Sequence, residues 1–136
     1  MCRSADVRMT PIDDNVGMHR MLSFRTSQSA GTTVVAVSGE LDLYTAPRLR
    51  EELLVALSEP LAGLIVDLSG LAFMDSTGLG LLIGAHRRAT ASGAALRVVC
   101  DHPVIVRILH VSGLDQVLAV DPTLEAALEA TGQRVR

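Results

Sequence analysis

The chain has 136 residues, which is the size of one domain and enough to bury a substantial core. Only 2% of its residues are aromatic, and its 12 basic residues are scattered among 15 acidic ones for a net charge of -3. This composition offers neither an aromatic stacking platform nor a basic patch, so a nucleic-acid partner is not expected.

The cysteines and histidines show no ligand spacing. Cys2 and Cys100 lie far apart with no C-x-x-C motif, and no two of the four histidines have metal-ligand spacing. We therefore expect no metal, no cofactor and no disulfide framework, and Cys100, which ends an apolar run, is predicted to be a buried thiol. No apolar run approaches the roughly 18 residues of a membrane span, and the N-terminus lacks the apolar stretch of a signal peptide. A cytoplasmic protein is expected.

Along the chain, the first elements form a hairpin. Residues 1–20 have no periodicity and are predicted to be a flexible N-terminal tail. From Met21 apolar and polar residues alternate on both sides of Ser29-Ala30-Gly31, which predicts two antiparallel strands. The domain is expected to span residues 21–131, followed by a C-terminal tail at 132–136.

Helices and strands then alternate. Thr45, with Pro47 in the first turn, is predicted to cap a helix that ends near Pro60. A buried strand is predicted at 64–68 and a helix from Ser76 to about Ser92, with Gly93 as its stop.

The same alternation continues to the end of the chain. A strand is predicted at 96–100, a helix from Pro103 to Gly113, a strand at 117–120 and a last helix from Asp121. This order predicts an α/β fold with a mixed, mostly parallel sheet of about five strands, an N-terminal antiparallel hairpin and about four helices.

The strand at 64–68 and the helix after it carry the most informative residues. Asp75, Ser76 and Thr77 all have side-chain oxygens suited to capping a helix N-terminus. A hydroxyl is thus predicted at a helix N-terminus beyond the carboxyl end of a strand, where open α/β folds usually place their function.

The glycines of this helix permit another interpretation. Gly78, Gly80 and Gly84 follow a strand and loosely imitate a dinucleotide fingerprint, but eight residues from Gly70 to Thr77 separate them from the strand at 64–68. Nucleotide binding is therefore not favoured. At Gly84 we favour the interpretation that a small residue lets helix and sheet approach closely.

Four motifs in order resemble a known family. They are Gly39-Glu40-Leu41-Asp42 with Tyr44-Thr45-Ala46-Pro47, Ile65-Val66-Asp67-Leu68-Ser69, Met74-Asp75-Ser76-Thr77-Gly78-Leu79-Gly80, and Ser112-Gly113-Leu114-Asp115. Over about Met21 to Ala130 the chain resembles bacterial anti-sigma factor antagonists of the STAS domain family.

The resemblance implies a STAS fold, with helices mainly on one face of the sheet, and a function of binding. In that family, the unphosphorylated antagonist binds an anti-sigma factor that is also a Ser/Thr kinase, and this releases the sigma factor. Phosphorylation of a serine reverses the exchange and a phosphatase resets it. Ser76 matches that serine, with Thr77 as the alternative acceptor, and Asp42 matches the acidic residue beside it. A monomer or weak dimer is expected.

The predicted partner-binding surface combines these motifs with helical geometry. Counting helical steps from Ser76 places Gly80, Ile83 and Arg87 on the same face, with Leu81, Leu82, Ala85 and Ala89 in an adjacent core stripe. An exposed Ile83 beside a bare glycine would suit docking. The predicted partner-binding residues are Asp42, Tyr44, Asp75, Ser76, Thr77, Gly78, Leu79, Gly80 and Ile83.

Two alternatives stand beside this hypothesis. A hydrolase using Ser76 as nucleophile would need a base, but there is no G-x-S-x-G elbow, and His86 lies about 15 Å along the helix. The chain is therefore not expected to be an enzyme. The other alternative keeps the fold and changes the partner, as a STAS scaffold or regulatory subunit of a stress-sensing complex or of a transporter ATPase.

Overall fold

The computed structural model describes residues 8–11, 21–29, 31–59 and 62–131. These residues form six strands and four α-helices: β1 (Arg8–Pro11), β2 (Met21–Ser29), β3 (Thr32–Leu41), α1 (Ala46–Leu57), β4 (Gly63–Met74), α2 (Ser76–Ala91), β5 (Ala95–Val99), α3 (Pro103–Val111), β6 (Ala119–Asp121) and α4 (Leu124–Ala130).

The strands form one sheet in chain order, from β1 to β6. The pairs β1–β2 and β2–β3 are antiparallel, whereas β3–β4, β4–β5 and β5–β6 are parallel. The mixed sheet led by an antiparallel hairpin is thus confirmed.

The strand β1 is an addition to the predicted sheet, because it falls inside the segment predicted as a tail. Its four residues pair with β2, with Arg8 opposite Phe24, and such a short strand gives no periodic signal in the sequence. The rest of the predicted N-terminal tail and residues 132–136 lie outside the described residues, so their flexibility stays a prediction.

Three helices pack on one face of the sheet and one on the other. The larger core lies under α1, α2 and α3 and is built mainly from leucine, alanine and valine, with Leu49, Leu64 and Leu82 fully buried within it. On the opposite face Ala127 of α4 packs against Val34 and Ile65. This arrangement confirms helices mainly on one face.

The strand β4 runs on without a break past residue 68, where the predicted strand ends. Its register against β3 shifts between Ala36 and Ser38, and Gly70 lies at this irregularity. A Cβ on Gly70 would lie 2.7 Å from the Cβ of Ser38, so only glycine lets the two strands pass there. The longer strand carries the chain directly to Asp75.

The last elements begin later than predicted. Residues 114–116 form a short 3-10 helix, so β6 begins at Ala119 rather than 117. The cap of α4 is Thr123, whose hydroxyl accepts the amide of Ala126 at 3.1 Å, and not Asp121. Asp121 instead ends β6 and pairs with Arg97 of β5 at 2.7 Å.

Candidate functional site

The ends of β3 and β4 lie side by side at the carboxyl edge of the sheet. Leu41 is opposite Met74, and the amide of Asp75 donates to the carbonyl of Leu41 at 3.2 Å. Asp42 and Asp75 therefore follow two paired residues of neighbouring strands. This placement brings together the two acidic positions that the motifs predict at the site.

The N-terminus of α2 is capped by Asp75 alone. Its carboxylate accepts the amides of Thr77 at 2.9 Å and Gly78 at 3.4 Å. Ser76 is the first residue of the helix, is exposed, and makes no side-chain hydrogen bond to the described residues. Of the three polar residues suited to capping, only Asp75 caps the helix, because it precedes the first turn and has the extended backbone that aims its side chain at these amides.

Asp42 organises the loop between β3 and α1. It is 4% exposed, and its carboxylate accepts the amides of Tyr44 at 2.9 Å and Thr45 at 3.1 Å. The Thr45 hydroxyl donates to the carbonyl of Glu40 at 2.8 Å. The prediction that Thr45 caps α1 with its side chain is therefore wrong. Asp42 therefore contributes to a surface by shaping the loop rather than by offering its own side chain.

This loop presents apolar side chains to solvent. Leu43 and Tyr44 are 63% and 62% exposed, and Phe73, two residues before Asp75, is 44% exposed. The motif-based prediction includes Tyr44 but omits Leu43 and Phe73. Strand alternation could have indicated Phe73, because its neighbour Met74 is buried and adjacent residues of a strand face opposite sides.

The predicted residues of α2 divide between surface and core. Gly80 is exposed, and a Cβ there would meet nothing within 4 Å. Thr77 is half-buried. Leu79 and Ile83 are also half-buried and pack against the core. The prediction of an exposed Ile83 is therefore wrong, because its side chain contacts the core cluster.

The glycine that lets α2 approach the sheet is Gly78. A Cβ on Gly78 would lie 2.7 Å from the Cγ of Met74 and 2.9 Å from a Cδ of Leu41. Gly84, to which the sequence assigns this role, is exposed with open space around it. That interpretation of Gly84 is wrong, and Gly78 is a packing residue at the base of the site.

Comparison with known proteins agrees with this geometry. The family model described as STAS domain matches residues 23–127 of the chain. The chain belongs to the STAS domain family.

Several relatives of this STAS domain are named anti-sigma factor antagonists. It is 31% identical over 102 residues to the anti-sigma-B factor antagonist of Bacillus subtilis, covering 75% of this chain and 93% of the relative. A crystal structure of an anti-sigma factor antagonist from Mycobacterium paratuberculosis has a TM-score of 0.77 and 31% identity, covering 82% and 95% of the two chains. The Bacillus cell fate determinant SpoIIAA in its phosphorylated form has a TM-score of 0.62 and 26% identity, covering 79% and 97%.

The Ser76 hydroxyl of this STAS domain is not paired with a base among the described residues. Ser76 has no side-chain partner there, and His86 is ten residues further along α2, about 15 Å at the usual helical rise. The described residues also contain no group of three or more His, Cys, Asp or Glu that could hold a metal ion. None of the described helices is long and apolar enough to cross a membrane.

Proposed function

We propose that this STAS domain is an anti-sigma factor antagonist that acts through phosphorylation of Ser76. Its partner is an anti-sigma factor with Ser/Thr kinase activity, and unphosphorylated Ser76 permits binding and so releases the sigma factor. The observation that carries the proposal is the exposed Ser76 hydroxyl, which has no structural role because Asp75 caps the helix. The names of the relatives, and the phosphorylated form of one of them, support the proposal.

The surface that the partner covers is defined here as the docking surface: Leu43, Tyr44, Phe73, Ser76 and Gly80. All five residues are exposed, and they lie on the β3–α1 loop, the end of β4 and the start of α2. Apolar and aromatic side chains of this kind supply much of the binding energy of protein interfaces. Asp42, Asp75, Thr77, Gly78, Leu79 and Ile83 support this surface from positions that are buried or half-buried.

Phosphorylation is expected to act on the surface and not on the fold. A phosphoserine adds about -1.5 to -2 charges at neutral pH, and the N-terminus of a helix favours negative charge. The domain therefore stays folded. The phosphate adds charge beside the carboxylate of Asp75, so the docking surface becomes acidic and repels an acidic partner surface.

Thr77 is the weaker acceptor for the phosphate. It is half-buried and lies within the first turn of α2, whereas Ser76 is exposed. A kinase active site needs access to the hydroxyl, and so does the phosphatase that resets the switch. Both enzymes, and the sigma factor, would meet this domain in the cytoplasm.

The test uses the purified chain and the kinase-like anti-sigma factor of its native organism. Phosphopeptide mass spectrometry after incubation with ATP should locate the phosphate on Ser76. Ser76→Ala should bind the anti-sigma factor and resist phosphorylation, while Ser76→Glu should bind at least about 100-fold more weakly, equivalent to about 2.7 kcal/mol. Ser92→Glu, which makes the same change at the exposed far end of α2, is the control and should bind like wild type.

Two results would contradict the proposal. One is phosphorylation of Ser76→Ala at the wild-type rate, and the other is wild-type binding by Ser76→Glu. Recovery of a transporter ATPase from the native cytoplasm, with no kinase-like protein, would favour a STAS scaffold or regulatory subunit instead.

A further inference from the structure

A groove of about 400 Å³ lies between α1 and α2 and is not explained by the phosphorylation switch. Its floor is apolar, with Leu53 of α1 and Leu81 of α2 among the lining residues. Leu43 and Thr77 line it as well, so one end of the groove adjoins the docking surface around Ser76. We call it the α1–α2 groove.

Two glycines leave one wall of the groove bare. Gly80 and Gly84 are one turn apart on α2, both are exposed, and a Cβ on either would meet nothing within 4 Å. Glycine is among the least favourable residues inside a helix, and no contact with the described residues requires it at these two positions. Small residues four apart do let a second helix approach closely enough for backbone contact.

Two arginines give the groove its charge. Arg50 of α1 and Arg88 of α2 both line it and are exposed, and neither has an ion pair or hydrogen bond with the described residues. A positively charged groove on a chain of net charge -3 favours an acidic occupant. A second copy of the chain fits poorly, because a two-fold arrangement would place arginine against arginine.

The spacing of the arginines favours a helix over a small anion. Because β3 and β4 are parallel neighbours, α1 and α2 begin at the same edge of the sheet and run in the same direction. Arg50 is the fifth residue of α1 and Arg88 the thirteenth of α2, an offset of eight residues or about 12 Å along the groove. The two arginines therefore lie at different positions along the length of the groove.

We propose that the α1–α2 groove binds an amphipathic helix of a protein partner. The helix carries two acidic side chains two turns apart, at positions i and i+7, with apolar residues between them on the same face. The acidic residues pair with Arg50 and Arg88, and the helix backbone passes over Gly80 and Gly84. This inference rests on the proposed function only for the identity of the partner, since the groove would give the anti-sigma factor a second contact beside Ser76.

The test uses two synthetic 16-residue lactam-stapled helices built from alanine and leucine, one with glutamate at i and i+7 and the other with lysine there. Fluorescence anisotropy should show that the glutamate peptide binds at least tenfold more tightly than the lysine peptide. The double variant Arg50→Glu/Arg88→Glu should reverse this preference. Arg107→Glu, the same change at an exposed position on α3, should leave the preference as in wild type.

A second variant tests the groove itself. Gly84→Leu should fill the groove and weaken binding of the glutamate peptide at least tenfold. The circular dichroism spectrum of this variant should be like that of wild type. Equal binding of the two peptides, or no reversal in the double variant, would overturn the proposal. The proposal would also be overturned if a fatty acid occupied the groove in preference to the helix. In that case dodecanoate would shift the amide resonances of Gly80 and Gly84 at lower concentrations than the glutamate peptide does.

These outcomes are separate from those of the phosphorylation switch. The peptide assay contains neither a kinase nor ATP, so it does not depend on phosphorylation. Peptide binding can therefore fail while Ser76 is still the phosphorylated residue. Conversely, a kinase that ignores Ser76 would overturn the proposed function and leave the peptide preference unchanged.

Discussion

The carboxylate of Asp75 caps α2 by accepting the amide of Thr77 at 2.9 Å. Ser76, the residue between them, therefore does not cap the helix, which is the usual role of a serine at a helix start. Phosphorylation of a capping serine would change the very group that accepts the helix amides. Here the cap and the proposed acceptor are adjacent but separate residues, so the switch can change without cost to the fold.

This separation of tasks can be measured as stability. Asp75→Ala should lower the free energy of unfolding by about 1 kcal/mol, because it removes the N-cap. Ser76→Ala, one residue away, should change it by less than about 0.5 kcal/mol, since an exposed side chain with no partner is removed. Urea unfolding followed by circular dichroism compares the two. A larger loss in Ser76→Ala than in Asp75→Ala would show that the serine is the cap.

The glycines of α2 should respond in opposite directions to alanine. Gly78→Ala should destabilise the domain by about 1 to 3 kcal/mol, because its Cβ would overlap Met74 and Leu41. Gly84→Ala should stabilise it by up to about 1 kcal/mol, because alanine favours the helix and the space is open. Thermal unfolding of the two variants is the measurement, and a stabilising Gly78→Ala would contradict the packing described at the base of the site.

Asp42 and Tyr44 should separate loop structure from partner contact. Asp42→Ala removes the acceptor of the amides of Tyr44 and Thr45, so it should lower the free energy of unfolding by about 1 to 3 kcal/mol. Because the loop loses its shape, the variant should also bind the anti-sigma factor more weakly. Tyr44→Ala removes an exposed ring and should weaken only the binding of the anti-sigma factor. Its free energy of unfolding should stay within about 0.5 kcal/mol of wild type. Calorimetry and a binding titration give the two readouts. Normal partner binding by Tyr44→Ala would exclude this ring from the docking surface.

The buried thiol of Cys100 should make stability fall at alkaline pH. Burial raises the pKa of Cys100, and the charge of Asp101 adds to this, while a hydrogen bond from the backbone of His102 partly offsets it. The folded state therefore holds the proton more tightly than the unfolded state. Its contribution is complete below the ordinary thiol pKa of about 8.5 and is lost as the pH rises through the higher folded value.

The measurement is urea unfolding between pH 7 and 10 in a Cys2→Ser background, which leaves one thiol. Replacing Cys100 with alanine should flatten the alkaline decline. The native thiol should also react slowly with a disulfide reagent at pH 8 and quickly after unfolding, because the side chain is 2% exposed. Fast reaction in the folded state would show that the thiol is accessible.

Much of the fold was predictable because local patterns and tertiary structure agree. Gly93 and Gly113, predicted as helix stops, have positive φ angles of 79° and 81° just after α2 and α3. His102, directly before the predicted helix start at Pro103, caps α3 by accepting the amide of Val104 at 3.2 Å. Each of these features depends only on a few neighbouring residues, so the sequence contains the information.

The features that were not predictable depend on contacts across the fold. Gly78 and Gly84 are six residues apart and point about 120° apart around α2. Which of them faces the sheet depends on which residues of β3 and β4 lie below the helix. The half-burial of Ile83 likewise depends on its packing against the core cluster, which a count of helical steps does not include. The exposure of Leu43 follows from the turn that Asp42 sets, and an apolar residue in a loop gives no sign of its direction in the sequence.

The packing of Gly78 against Leu41 and Met74 also bears on the timing of the switch. Because this contact has no spare room, α2 cannot move closer to the sheet there, and we expect the proposed phosphorylation of Ser76 to leave the packing of α2 unchanged. In the proposed switch, the rate at which partners exchange is then expected to depend on the enzymes that add and remove the phosphate and on dissociation of the complex. Such a domain would store the cell's last signal as a covalent mark for as long as the phosphatase leaves it in place.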